Sequence, residues 1–413
     1  MTHARNAPLP TALTGPRDGH LPLCAVTCPN IAFIGCWYRY DLYSHNCCHF
    51  VQALRRRGFG VDVITSNCSC FSSVHRFAVT RNELINSDCI ALHVPYTGPD
   101  PARRPGILKY LAINVCRLHI PLEVFRGIFF YRRARHAATI HYDQVLRAFG
   151  FLSLLVLILL SRLFRKNMIA TVHEIDPFQR THKWLNRCYN YCARVLVYSR
   201  DMAVELMRLG VRPETIEIIR YGVEIPQLTS MDKTQFIYFG GHNILRGKGF
   251  QELLDALGIL KKQGENIRVL IYVGKGCNGL SAAKEMARLA GVSDMISWSE
   301  FISGDDLVAA YQASKACLVP FTGGSARHPV SCAMANGIPV IATRAVDIPE
   351  YLGDLGYYVE GDGNSIAAAI TAIERDPAAA ASMGRDLRAK AIAELNFDGI
   401  AERVGALYSQ LQA

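Results

Sequence analysis

Along the 413-residue chain, apolar and polar positions switch repeatedly between two periods. Apolar runs of strand length occur at IAFIGCW (31–37), GVDVITS (60–66), ATIHYD (138–143), MIATVHE (168–174), RVLVYS (194–199) and IEIIRYGV (216–223). Stretches of helical spacing, such as 45–57, lie between them. After IPQLTSMDK (225–233), which reads as a linker, the alternation restarts. Strands are expected at QFIYFGG (235–241), RVLIYVG (268–274), ISWSEF (296–301), ACLVPF (316–321) and PVIAT (339–343), with helices at 249–262, 281–290, 305–313 and from about 330. Strand–helix alternation predicts parallel, doubly wound sheets. Two such series predict an α/β protein with a first lobe over 30–226 and a second over 234–395. Residues 396–413 read as a C-terminal helix able to pack back on the first lobe. Residues 1–29, rich in Pro, Thr, Ala and Gly without a period, read as a disordered tail.

Two stretches depart from this rhythm. Residues 101–140 are apolar and basic together: Arg103, Arg104, Lys109, Arg117, Arg126, Arg132, Arg133 and Arg135 stand against the single acid Glu123. ILKYLAINV and LEVFRGIFFYRR within it are amphipathic helix candidates. Such a surface suits the edge of an anionic membrane. It also fits helices packed on their own sheet with solvated arginines. The run AFGFLSLLVLILL (148–160) is shorter than the roughly 18 apolar residues that a membrane span needs. It reads first as a buried crossover helix and second as an in-plane membrane contact.

Half of the residues are apolar, ample for two cores, and the net charge of +10 suits an anionic partner. The fourteen cysteines show no paired CxxC spacing of the kind that binds metal. No secretory apolar segment opens the sequence, so a reducing, cytosolic setting without disulfides is expected.

Two glycine turns carry candidate chemistry. GGHNILRGKG (240–249) follows a strand and precedes a helix, where free amides and the positive end of the helix dipole attract phosphate. Arg246 and Lys248 add cations. It is not a Walker loop, because the GxxxxGK[ST] order is absent. The second turn, in VPFTGGSARHPV (319–330), offers Gly323, Gly324, Ser325 and Arg327 at a helix start. An arginine fork suits phosphate oxygens. Each turn taken alone also fits an ordinary strand-to-helix connection.

The second lobe resembles glycosyltransferase family 4. That family's sugar-nucleotide segment runs Pro-Ser-x-x-Glu-Gly-Phe-Gly-x-Pro-x-x-Glu-Ala-Met-Ala-x-Gly-x-Pro-Val-Val. Pro320, Pro329, Ala333, Met334, Ala335, Gly337, Pro339 and Val340 keep that register without a gap. Its Gly-Arg and Lys-Gly pairs match Gly241–His242 and Lys248–Gly249. Its Gly-x-Gly matches Gly274 and Gly276, and its Pro-Glu matches Pro349–Glu350. TVHE (171–174), YS (198–199) and RYGVE (220–224) extend the likeness into the first lobe. Both acids of the family's Glu-x7-Glu pair are replaced, by Gly324 and Cys332, and its phosphate-binding arginine by His242. PFTGGSAR (320–327) is similar to a variant turn of some members.

The resemblance implies a GT-B fold, two Rossmann-like doubly wound parallel-sheet lobes facing across a cleft. It implies a retaining, metal-independent transfer of a sugar from a nucleotide-diphosphate donor, with no cofactor. It places Gly240, Gly241, His242, Arg246, Lys248, Gly274, Gly323, Gly324, Ser325, Arg327 and Glu350 at the donor. Lys248 and Arg327 are expected to stabilise the departing diphosphate, and His173 to contact the donor sugar or acceptor. Asp143, Glu174, His45 and Arg39 lie where an acceptor could reach. No Asp-x-Asp metal box occurs in the nucleotide region of either lobe. The basic, apolar stretch suggests a glycan or lipid-linked acceptor of a cell-envelope polysaccharide pathway, peripheral contact with an anionic membrane at its cytoplasmic face, and no nucleic acid. Two other readings stand beside this one: a catalytically silent relative binding a nucleotide or glycan as a partner subunit, and a sugar-nucleotide epimerase or phosphorylase of the same fold.

Overall fold

The computed structural model describes residues 30–35, 41–67, 90–93, 119–144, 150–175, 177–300, 302 and 304–412. The expected tail, Arg39 and the helix candidate at 107–115 lie outside them, as do Arg103, Arg104, Lys109 and Arg117.

The first lobe is built on β1 (Asn30–Gly35), β2 (Gly60–Asn67), β3 (Ile90–His93), β4 (Thr139–Gln144), β5 (Asn167–Val172), β6 (Arg194–Val197) and β7 (Ile216–Ile218). These pair in parallel in the order β3-β2-β1-β4-β5-β6-β7. The second sheet contains β8 (Gln235–Asn243), β9 (Val269–Asn278), β10 (Ile296–Glu300), β11 (Ser314–Val319), β12 (Val340–Thr343) and β13 (Tyr357–Val359). Its order is β10-β9-β8-β11-β12-β13, again parallel. Both sheets thus have the doubly wound order, which reverses beside the first strand and opens a ligand crevice at the strands' carboxyl ends. The strands read as apolar runs because helices cover both faces: Ile31, Ala32, Phe33 and Ile34 are all essentially inaccessible to solvent.

In the first lobe, α1 (Asp41–Arg56) links β1 to β2. Helices α2 (His119–Ala134) and α3 (Gly150–Leu163) precede β4 and β5 and pack on one another. Gly127 permits their close approach, since a Cβ there would lie 2.7 Å from Val156 Cβ. Helix α3 is a crossover helix but is buried on one side only. Leu154, Leu157 and Ile158 face the sheet, whereas Leu159 and Leu163 stand in solvent. The expected buried crossover helix is thus buried on its sheet-facing side and open to solvent on the other. The short helices α4 (Pro177–Thr181) and α5 (Lys183–Asn186) follow, then α6 (Arg200–Arg208), whose first turn Ser199 caps through Met202 N at 3.2 Å.

The second lobe carries α7 (Phe250–Lys262), α8 (Leu280–Leu289), α9 (Gly304–Gln312), α10 (Arg327–Ala335), α11 (Ile348–Leu352), α12 (Gly363–Arg375) and α13 (Pro377–Glu394). The chain then crosses back. Val223 N donates to Leu395 O at 2.9 Å, and α14 (Phe397–Gln412) packs on α1. Arg56–Asp398 (2.8 Å) and Arg57–Glu402 (2.9 Å) fasten it outside, and Tyr408 reaches His141 inside. This return of the chain shortens β7: after Ile218 the strand expected to continue to Val223 turns toward α14. Among the described residues, no helix is long and apolar enough to cross a membrane.

Candidate functional site at the lobe junction

The second lobe supplies two turns that touch. Thr322 N and Gly323 N donate to Gly247 O at 3.2 and 3.1 Å. Gly249, at φ +68°, leads into α7, and a Cβ there would lie 2.0 Å from Pro320 O, so only glycine fits. Lys248 sits in the resulting notch. Its ammonium lies 3.9 Å from the centre of the Phe321 ring and 3.4 Å from the Ser325 carbonyl, to which it donates. A Cβ on Gly324 would come within 3.5 Å of Nζ. Burial lowers the Lys248 pKa to about 8, against the opposite pull of the Glu174 and Asp347 carboxylates. A cation held against a ring and a carbonyl is poorly solvated, and an incoming phosphate oxygen gains strongly from it.

The first lobe supplies a side-chain cluster at the ends of β4 and β5. His173 Nε2 lies 2.7 Å from Asp143 Oδ1, and the Cys47 thiol donates to Asp143 Oδ2 at 2.8 Å. All three are buried. Burial pushes the Asp143 carboxyl up, but the charge and hydrogen bond of His173, with His141 and Cys47, outweigh it and hold the group below the usual carboxylate range. Behind them His141 contacts Thr171 Oγ1 at 2.7 Å and the Tyr408 hydroxyl of α14. Its imidazole is pushed down to about 4 by desolvation, against the raising pull of Asp143. A cavity of about 40 Å³ is lined by Asp143, His173, Tyr198 and Tyr221, with Phe397 and Ile400 of α14 also on its wall.

With this geometry in place, the likeness to known proteins becomes specific. Residues 47–226 match the model of Glycosyltransferase Family 4, and residues 233–376 that of Glycosyl transferases group 1. The two matches part at the linker, one per lobe. The chain belongs to glycosyltransferase family 4 and has the GT-B fold. It is 23% identical over 258 residues to the MMP alpha-(1->4)-mannosyltransferase of Mycolicibacterium hassiacum, covering 60% of this chain and 60% of that relative's length. Sucrose-phosphate synthase from Thermosynechococcus elongatus shares the fold with a TM-score of 0.69 at 19% identity, over 93% of this chain and 99% of that one. Anabaena HepE, solved with UDP and glucose, does so with a TM-score of 0.68 at 16% identity, over 92% and 99%.

Within this family frame, the structure treats the expected site residues differently. Lys248, Gly241, Gly323, Gly324 and Ser325 come together around the notch, whereas Gly240 packs against Val273 and Ile244. His242 lies beside it, half-buried on the Gly274 backbone, where a Cβ would fall 2.4 Å from the imidazole. Arg246 is exposed on the same turn. Glu174, exposed at the end of the first-lobe strand, is close enough to act on the Lys248 charge.

Arg327 and Glu350 are corrections. The Arg327 guanidinium, 5% exposed, donates from Nη2 to His173 O (2.6 Å) and from Nη1 to Asp347 Oδ2 (3.1 Å), and lies over the Tyr198 ring. It is spent on protein groups of both lobes rather than turned to an anion. Glu350 accepts from Arg200 N and Asp201 N at 2.8 and 3.3 Å, capping α6 of the first lobe, and pairs with Arg220 at 3.4 Å. It fastens the lobes rather than a ligand. Asp143 also changes character, since both carboxylate oxygens are engaged within the cluster. His45 lies within α1, and its side chain is outside the described structure.

Sequence reasoning missed Asp347, His141, Cys47, Tyr408 and Arg220. Asp347 anchors Arg327 and accepts from Ala326 N at 3.2 Å. An acid directly before the Ile-Pro-Glu helix start was a usable signal for it. Nothing local marked the others. Among the described residues, no group of three His, Cys, Asp or Glu side chains could hold a metal ion.

Proposed function

We propose that this protein transfers a sugar from a nucleotide-diphosphate donor, with retention of configuration and without metal, to a glycan or lipid-linked acceptor at a membrane-proximal site. One observation carries the reading: the Lys248 ammonium stands in a notch of two glycine turns, with Glu174 and the His173–Asp143 pair presented by the opposite lobe. Breaking the anomeric bond moves negative charge onto the departing diphosphate. A fixed cation in a site shielded from water stabilises that charge without reorganising. His173, its Nε2 held by Asp143, is the polar group offered to the sugar side. The small cavity beside it has room for a hydroxyl group rather than a sugar ring.

The name of the HepE complex makes UDP the first nucleotide to try. A thermal-shift panel of UDP, GDP and ADP tests the notch, since binding to the folded state raises Tm. One diphosphate is expected to stabilise the protein, and Lys248→Ala to erase the shift. As pH rises through about 8 the ammonium is lost, so the shift should shrink on the alkaline side. No shift with any nucleotide at neutral pH sinks the reading. A shift without donor consumption would instead favour a silent binding subunit, to which the Gly324 and Cys332 replacements lend support.

A further inference from the structure

Helices α2 and α3 present a surface that the fold leaves in solvent. Phe125 and Ile128 on α2 are 61% and 47% exposed, and Leu159 and Leu163 on α3 are 58% and 72% exposed. Phe164, directly after α3, is 55% exposed and stacks on Tyr131 of α2 at 5.3 Å between ring centres. Spacings of three and four residues put each helix's apolar set on one side. The tight packing at Gly127 joins the two stripes into one plate.

The plate is also strongly basic. Arg132 and Arg133 end α2 and Arg135 follows it, Arg162 ends α3 and Arg165 and Lys166 follow it, while Glu123 is the one acid in 119–138 and 150–166. The Arg133 guanidinium lies over the Phe129 ring at 5.3 Å, and that of Arg162 over Tyr191 at 4.9 Å. Cations laid along aromatic rings keep their apolar parts low and their charge at the rim, as side chains do at a headgroup boundary.

Charge decides the occupant. A second copy would bring like-charged rims together, whereas a phosphate-bearing lipid surface complements both the rim and the apolar stripes. Both helices lead into parallel strands, so both start at the sheet edge where Asp143 and His173 lie and run away from it. Most of the exposed apolar and basic side chains lie toward the C-terminal ends of the helices, so the plate extends along the first lobe away from the cleft.

We infer that the α2–α3 plate docks flat on an anionic bilayer, with Phe125, Ile128, Leu159 and Leu163 in the interfacial layer and the arginines on headgroup phosphates. This deepens the sugar-transfer reading by naming the surface on which the protein works, and rests on that reading for its purpose but not for its test.

The full chain should float with phosphatidylcholine vesicles containing phosphatidylglycerol at low salt, and not with phosphatidylcholine alone. The triple variant R132E/R133E/R162E should lower the floated fraction at least about tenfold, as expected for reversing several cations at an anionic surface. The pair L159E/L163E should also release the chain, and the nucleotide thermal shift should survive in both, showing that they fold. Equal partition of the wild type to neutral and anionic vesicles, no flotation with either, or variants that float like the wild type would each overturn the proposal. So would a dimer in light scattering that L159E/L163E dissolves. Loss of the nucleotide shift with flotation intact would sink the sugar-transfer reading and leave the docking face standing.

Discussion

The two lobes bring different materials to the same junction. The second lobe builds its notch from backbone, with glycines that let two turns touch and one lysine side chain held between them. The first lobe builds its part from side chains alone, Cys47, Asp143 and His173 in one chain of contacts, with His141, Thr171 and Tyr408 in another. A backbone notch tolerates change in surrounding side chains so long as the glycines remain. A cluster of mutually bonded buried groups does not, because removing one member leaves its partner desolvated and unpaired. The lobes should therefore fail differently under mutation: the second by losing its ligand, the first by losing its geometry.

Arg327 tests this contrast hardest, because it belongs to the second lobe but behaves like the first. Arg327→Ala leaves the buried Asp347 without its cation and frees the His173 carbonyl. Breaking a buried pair in this way costs about 3–5 kcal/mol, to be read from urea unfolding. A loss well under 1 kcal/mol would mean that the guanidinium does not pin the lobes.

Acid should single out the first lobe. The folded pKa of His141 is about 4 against an ordinary 6.5, so the unfolded chain takes up the proton first. Stability present above pH 6.5 is lost as pH falls toward 4, by about 3 kcal/mol. The depressed Asp143 carboxyl adds loss in the same direction at lower pH. His141→Phe should flatten the upper part of this dependence, measured as urea midpoints at successive pH values. An unchanged slope would remove His141 from the account.

Asp143→Asn should separate geometry from ligand. It keeps the shape but weakens the hold on His173, and a misaligned catalytic group costs about 100-fold in turnover. The nucleotide shift should stay as in the wild type. If both fell together, the division of labour between the lobes would be wrong. The smallest effect is expected at Glu350. Glu350→Ala removes a helix cap contributed across the junction, for a loss of about 1 kcal/mol in unfolding with little change in the nucleotide shift.

Much of the architecture was legible in the sequence because its signals are local. QFIYFGG and RVLIYVG announce buried parallel strands by unbroken apolar runs, and the observed β8 and β9 begin within a residue of the expected positions. The glycine turn at 240–249 was legible for a similar reason, since a strand, glycines and a helix start follow one another within ten residues. The helix at 150–163 shows where local reading stops. Its composition is apolar on all sides, and only its neighbours determine that Leu159 and Leu163 face outward. Arg327 shows the same limit. A guanidinium after a Gly-Gly-Ser turn fits a phosphate or a carbonyl equally well, and the choice was made by His173 O, which lies 154 residues away in the chain.

What the sequence alone determined, then, was the doubly wound design of each lobe, the family, and the presence of a lysine-bearing turn, because each rests on periods and spacings written within a few tens of residues. The tertiary structure alone decided which cations remain available to a ligand, which acid supports His173, and which apolar face stays uncovered. Those outcomes depend on burial and on partners brought together from distant parts of the chain, and neither burial nor pairing is a property of any short stretch of residues.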